Sequence, residues 1–167
     1  PTFSNTSLQY LDCMNFDGFL LTGGNDLSKL TDGTNSSLDR DKLESQLLEY
    51  ATKFKLPVMG VCRGFQFINM HLGGGLTRAD GHVGARHHLS ILKNPMNFQE
   101  AKLEVNSFHG WVINQSDLAD DLIPIAIAQD GTVEAAYHPS LNWLGIMWHP
   151  ERSTCEIDNL IFDFLFK

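Results

Sequence analysis

Basic charge is scarce in this chain of 167 residues: twelve Lys and Arg stand against twenty Asp and Glu, a formal charge of −8. That shortage argues against nucleic acid or an anionic membrane surface as a main partner, since both are held by concentrated positive charge. No apolar run approaches the ~20 residues that a membrane-spanning helix needs. No signal-peptide pattern is visible either, in a chain that starts at Pro1. Cysteine is equally sparse. Cys13, Cys62 and Cys155 are too few and too scattered for a disulfide framework. A reducing compartment, the cytoplasm, is expected, with room for a reactive thiol. Internal repeats, low-complexity tracts and a dividing linker are all missing, which points to one domain over residues 1–167.

What is present is an ordinary hydrophobic fraction, 43%, arranged in short runs. Phe19-Leu20-Leu21 reads as a buried strand that stops at Thr22-Gly23-Gly24-Asn25-Asp26. Thr31 to Ser37 is loop-like in composition. Leu43, Leu47, Tyr50 and Phe54 then recur at helical spacing until Pro57. Val58 to Val61 reads as a second buried strand, Cys62-Arg63-Gly64 as a tight turn, and Phe65, Ile68 and Leu72 as one face of a helix ended by Gly73-Gly74-Gly75. Strand, glycine loop, helix, strand, turn, helix is the order of a parallel α/β sheet. The second half changes to strand-like runs at Lys102–Asn106, Pro124–Ala128, Thr132–Tyr137 and Leu144–Trp148, with a hairpin signal at Asp130-Gly131. Ile157, Leu160, Ile161, Phe164 and Leu165 suit a closing amphipathic helix. The expected fold is α/β: a central, mostly parallel sheet flanked by helices, with antiparallel additions.

The most informative segment is Gly60-Val61-Cys62-Arg63-Gly64-Phe65. A small-x-nucleophile-x-small pattern between strand and helix is a nucleophile elbow, here with Cys as nucleophile. It sets Cys62 at a helix N-terminus, where the dipole and free N–H groups favour a thiolate. His149 is the best proton partner, in Trp148-His149-Pro150-Glu151 at the end of a strand-like run. Residues two apart in an extended segment share a side, so Glu151 is placed to orient the His149 ring. Thr22-Gly23-Gly24-Asn25 suits an oxyanion hole or an anion cradle, but it lacks the lysine and spacing of a P-loop. Gly81-His82 and His87-His88 lie in a glycine-rich stretch without Cys or carboxylate ligands at regular spacing. No metal is assigned there, and Gly73 to His88 reads as a mobile loop that shapes leaving-group recognition.

Four segments together carry a resemblance. They are Phe16 to Gly24, Pro57 to Gln66, Val105-Asn106-Ser107-Phe108-His109, and Gly145 to Glu151. In content and order they resemble the class I glutamine amidotransferase superfamily, with its flavodoxin-like fold, and within it the γ-glutamyl hydrolase-like branch. The resemblance implies Cys62 as nucleophile, His149 as acid/base and Glu151 as the orienting carboxylate. It implies an oxyanion hole from the backbone N–H of Gly24, or of Asn25, together with that of Arg63. Gln66, Asn106, Ser107, Phe108 and His109 are implied to line the glutamyl pocket. The family usually opens with a strand and helix before the Asp17-Gly18 segment, and this chain is expected to start after them. Many hydrolase-branch members carry two histidines where this chain has His109-Gly110.

The reaction so implied cleaves the γ-glutamyl amide bond of a γ-glutamyl-amine conjugate through a γ-glutamyl thioester, and needs no cofactor. The alternative is a glutaminase subunit that supplies ammonia to a synthetase or transferase partner. A third reading, a catalytically silent binding module, gives no physical reason to keep Cys, His and Glu together. A small-molecule substrate is expected in each enzymatic case, with a homodimer or a synthetase partner as the assemblies the resemblance allows.

Overall fold

The computed structural model describes residues 14–30, 36–92, 94–98 and 103–166. Seven strands form one sheet in the order β1-β2-β9-β8-β7-β4-β5. The first strands of that order are β1 (Phe19–Leu21), β2 (Val58–Val61) and β9 (Trp143–Ile146), and they run parallel. Then follow β8 (Val133–His138), β7 (Ile123–Ala128), β4 (Val83–Ile91) and β5 (Leu103–Phe108), each antiparallel to its neighbour. A separate two-stranded ribbon joins β3 (Thr77–Arg78) to β6 (Trp111–Val112). The α/β class and the antiparallel additions are as expected, but antiparallel pairings outnumber parallel ones four to two in the main sheet. Connection length is the reason. The chain turns back from β7 to β8 through Asp130-Gly131, and from β8 to β9 through the residues 139–142, far too short for a crossover.

Among the described residues three helices cover the sheet: α1 (Leu38–Phe54), α2 (Arg63–His71) and α3 (Glu156–Phe166). Helix α1 starts where the Ser37 side chain accepts from the Arg40 amide, 3.3 Å, and ends with Lys55 in the left-handed region at φ 56°. Alternation along β2 sends Val58 to the α1/α2 side, where it packs with Leu21, Leu48, Ile68 and Trp143. Met59 and Val61 go to the opposite side with Leu144, Ile146 and the α3 residues Ile157, Ile161 and Leu165. The sheet is therefore buried on both faces at β2 and β9, while Leu20 of the edge strand β1 is exposed.

Half of the stretch expected to be a mobile loop, Gly73 to His88, is strand. Thr77–Arg78 and Val83–Ile91 are β3 and β4, and β4 pairs with both β5 and β7. Its period-two pattern is present in the sequence. Ala85, His87, Leu89 and Ile91 turn inward while Arg86, His88 and Ser90 stay exposed. The glycines before it, and two histidines in place of aliphatic residues, mask that alternation. Of the other readings, Cys13 and residues 31–35 of the expected surface loop lie outside the described residues.

Candidate active site

Two glycines face each other in the β2–β9 register, Gly60 opposite Gly145. A Cβ on Gly145 would fall 2.0 Å from the Phe65 ring, and one on Gly60 would fall 2.7 Å from the Phe65 amide nitrogen. The bare backbone lets the first turn of α2 sit directly on the sheet. On its other flank Gly64 passes so close to β1 that a Cβ would lie 2.1 Å from the Leu21 carbonyl oxygen. Between these contacts Cys62 has φ 51°, ψ −106°, and its amide donates to Ile146 O at 2.7 Å. A non-glycine residue in that conformation is strained, and only a tightly determined turn sustains it. The elbow expected for Gly60–Phe65 is therefore in place.

Helix-terminus stabilisation does not dominate at the thiol, contrary to expectation. Burial pushes Cys62 up to about 11, and the charges of Glu134 and Glu151 push in the same direction. A hydrogen bond from the Arg63 amide and the charge of Arg152 pull the other way without prevailing. At neutral pH the group is a thiol.

An imidazole stands close to that thiol. A Cβ placed on Gly23 would lie 2.8 Å from His149 Cε1 and 3.8 Å from Cys62 Cβ, so imidazole and cysteine flank one point. His149 Nδ1 is 2.6 Å from Glu151 Oε1, which leaves Nε2 as the free nitrogen when Nδ1–H donates to the carboxylate. Asn106 fixes the backbone around the ring: its side chain donates to His149 O at 2.8 Å and accepts from His149 N at 2.9 Å. Trp148, one residue earlier, donates from Nε1 to Asp158 on α3 at 2.8 Å.

Thr22–Asn25 closes the site on the β1 side. Arg40 of α1 donates to Thr22 O at 2.6 Å and to Gly23 O at 3.2 Å. With those carbonyls turned to Arg40, and Gly24 at φ 148°, the loop is pinned from outside the site. Arg40 also meets Glu44 at 2.7 Å, and the buried Arg63 side chain pairs with both Glu44 and Asp41. This network ties the Thr22–Asn25 loop to Arg63, the residue after Cys62. Removing one partner of such a buried pair costs about 3–5 kcal/mol. Arg40, Asp41 and Glu44 escaped the sequence reading because charged residues near a helix start look like an ordinary solvated face.

The remaining predicted pocket residues divide. Phe108 lies edge-on to the His149 ring at 5.9 Å, with the Arg152 guanidinium 4.1 Å from its ring centroid. Gln66 is buried on α2 and donates to Trp111 O at 3.0 Å. Ser107 and His109 are engaged elsewhere. Ser107 Oγ donates to His82 O at 2.5 Å, and His109 Nδ1 lies 3.0 Å from Trp111 O. His109 Nε2 faces His82, His87 and Glu134, a buried group that the sequence reading did not assemble.

Comparison with known proteins places the chain in a family. The peptidase C26 family model matches residues 4–151. The chain is 36% identical to the gamma-glutamyl-CDP-amidate hydrolase of Campylobacter jejuni over 133 residues, which cover 80% of this chain and 61% of that protein. It is 25% identical over 148 residues to a glutamine-hydrolysing GMP synthase component of Thermococcus kodakarensis, covering 89% of this chain and 73% of that one. In fold it is similar to a candidate GMP synthase component from Thermoplasma acidophilum, with TM-score 0.75, 20% identity, and 93% and 74% of the two chains covered. Elbow, strand order and family model lead to the same place: the chain belongs to the peptidase C26 family, of the class I glutamine amidotransferase type.

Proposed function

We propose that this chain is a cysteine-dependent hydrolase of γ-glutamyl amides, with Cys62 as nucleophile, His149 as acid/base and Glu151 as its orienting carboxylate. The observation that carries the reading is the strained Cys62 elbow beside an imidazole whose Nδ1 is already committed to Glu151, 2.6 Å away. His149 Nε2 takes the thiol proton as sulfur attacks the γ-carbonyl carbon, forming the C–S bond. The oxyanion is stabilised by the backbone N–H groups of Arg63 and of Gly24 or Asn25. The C–N bond then breaks, His149 gives its proton to the departing amine, and a γ-glutamyl thioester remains. His149 next deprotonates a water that attacks the thioester. Glutamate leaves, and the proton returns to the Cys62 sulfur. Gln66, Asn106 and Phe108 are the substrate-side residues of this reading, supported by the Phe108 ring beside His149 and by Asn106, which acts through the His149 backbone.

The hydrolase reading is supported by the similarity to the Campylobacter protein, whose name states hydrolysis of a γ-glutamyl amidate. A glutaminase that works with a synthetase partner is the second reading, supported by the GMP synthase relatives. The purified chain offered γ-glutamyl amides of bulky amines, a nucleotide-linked amidate among them, is expected to release glutamate faster from at least one than from free glutamine. Equal or faster turnover of glutamine, or silence until a synthetase is added, would transfer the assignment to the second reading.

A further inference from the structure

Outside the cysteine site, His82, His87, His109 and Glu134 converge from three parts of the chain, and one ligand atom from each lies within 4.8 Å of the others. His82, His109 and Glu134 are buried and His87 is half-buried. Their ring centroids are 4.5 Å (82–87), 5.0 Å (82–109) and 6.3 Å (87–109) apart. We propose that these four side chains form a divalent metal site whose chemistry fits zinc, built on strands β4 and β8 and the end of β5.

The hydrogen bonds decide which atoms face inward. His82 Nε2 is 2.8 Å from Asp130 Oδ2, and His82 Nδ1 is buried with no hydrogen-bond partner among the described residues. His109 Nδ1 donates to Trp111 O, so in the neutral ring Nε2 carries a lone pair. Ser107 Oγ is 3.1 Å from that nitrogen, but its one proton is already directed to His82 O at 2.5 Å. His87 Nε2 and both carboxylate oxygens of Glu134 are likewise buried without a hydrogen-bond partner among the described residues. Three imidazole nitrogens and one carboxylate thus meet without a hydrogen-bond donor between them among the described residues. Leaving buried polar groups unmatched is costly, and a divalent cation matches all four at once.

The surroundings have the form a metal site requires. Metal-bound histidines usually commit the other nitrogen to a carboxylate or backbone carbonyl, as His82 does to Asp130 and His109 to Trp111 O. Asp130 is itself fixed by the Thr132 hydroxyl at 2.7 Å and amide at 3.0 Å. Nitrogen and oxygen ligands in a four-fold set suit zinc, whose bonds to them run to about 2.0–2.2 Å. Four protein ligands close the site, so its work is structural: it clamps the antiparallel strands that stand behind His149. The competing arrangement is a bare ion pair, with His109 protonated and its Nε2 3.6 Å from Glu134 Oε1.

The test is metal binding itself, with no reliance on turnover. Purified chain stripped by chelator and titrated with cobalt(II) is expected to bind one equivalent and develop the visible bands of a tetrahedral site. Zinc should displace the cobalt and raise the thermal midpoint. Asp130→Asn, a change at a half-exposed side chain outside the ligand set, should weaken binding roughly 10- to 100-fold. Glu134→Gln should remove the bands, while His88→Ala, on the exposed side of the same strand as His87, should keep them. Failure of the wild-type chain to bind cobalt or zinc stoichiometrically would overturn the proposal in favour of the bare ion pair. Wild-type affinity in both Asp130→Asn and Glu134→Gln would overturn it too.

Discussion

The parallel strands β1, β2 and β9 and the antiparallel strands β4, β5, β7 and β8 each gather polar side chains out of water, by different routes. In the parallel half the chemistry sits on loops at strand ends: Thr22–Asn25 after β1, Cys62 after β2, His149 soon after β9. A parallel sheet brings those ends to one edge, so neighbours in space are set by strand order. In the antiparallel half the polar side chains come from within or just beyond the strands, His87 from β4, Glu134 from β8 and His109 one residue past β5. Their meeting depends on register and on which way each side chain alternates. Groups on strand-end loops, even pinned as these are by Arg40 and Asn106, lie where a substrate can meet them. Strand-borne groups are held on both sides and serve better as a clamp.

Replacing the nucleophile breaks this comparison most severely. Cys62→Ala is expected to cut glutamate release from a γ-glutamyl amide by roughly 10⁶-fold, to the background of the assay. The fold should persist, because alanine fills most of the same space at the edge of the core. Thermal unfolding and glutamate assays on one preparation check both halves. Cobalt binding should be unaffected, since Cys62 is not among the cluster's ligands. Ordinary turnover in the variant would remove Cys62 from the mechanism.

The two halves are also unequally legible in the sequence. Gly60-Val61-Cys62-Arg63-Gly64 and Trp148-His149-Pro150-Glu151 are contiguous, so spacing alone carries the turn and the pairing of His149 with Glu151. The structure adds why Gly60 has a partner glycine in Gly145, a relation that only strand register reveals. The histidine cluster spans His82 to Glu134, and no fixed spacing links its members. The strand alternation of Val83–Ile91 is hidden by His87 and His88, which carry no hydrophobic signal although His87 turns inward. Thiolate stabilisation by the helix start is overestimated from sequence for a simple reason. Burial of the sulfur depends on how closely Gly23, Gly64 and the sheet surround it, and a linear pattern holds no measure of that.

A smaller effect sharpens the roles inside the parallel half. His149→Ala should reduce kcat by roughly 10²–10⁴-fold, the usual contribution of a general acid/base. Glu151→Gln should cost less, because Glu151 orients the ring and offsets its charge without touching the reacting carbon. Its side chain is 59% exposed, so water replaces part of its contribution. Steady-state kinetics on the same γ-glutamyl amide give the ranking. A larger loss from Glu151→Gln than from His149→Ala would reverse the two assignments.

The smallest expected effect concerns the resting thiol. Because burial holds Cys62 near pKa 11, alkylation by iodoacetamide should rise about tenfold per pH unit between pH 7 and 10. A preformed thiolate–imidazolium pair would instead give a rate nearly flat over that range. Cys155 is pushed up further, to about 12, by burial and by Asp158, so its rate should climb with the same slope. Peptide mapping by mass spectrometry separates the two sites. The charge of Glu151 is one of the contributions raising Cys62, so Glu151→Gln lowers that pKa and should speed Cys62 labelling a few-fold at a given pH. The Cys155 rate should not move, because Glu151 is absent from the charges acting on it. A decrease at Cys62 would mean that His149, once released from Glu151, no longer assists the thiol, and that the carboxylate acts on sulfur mainly through the ring.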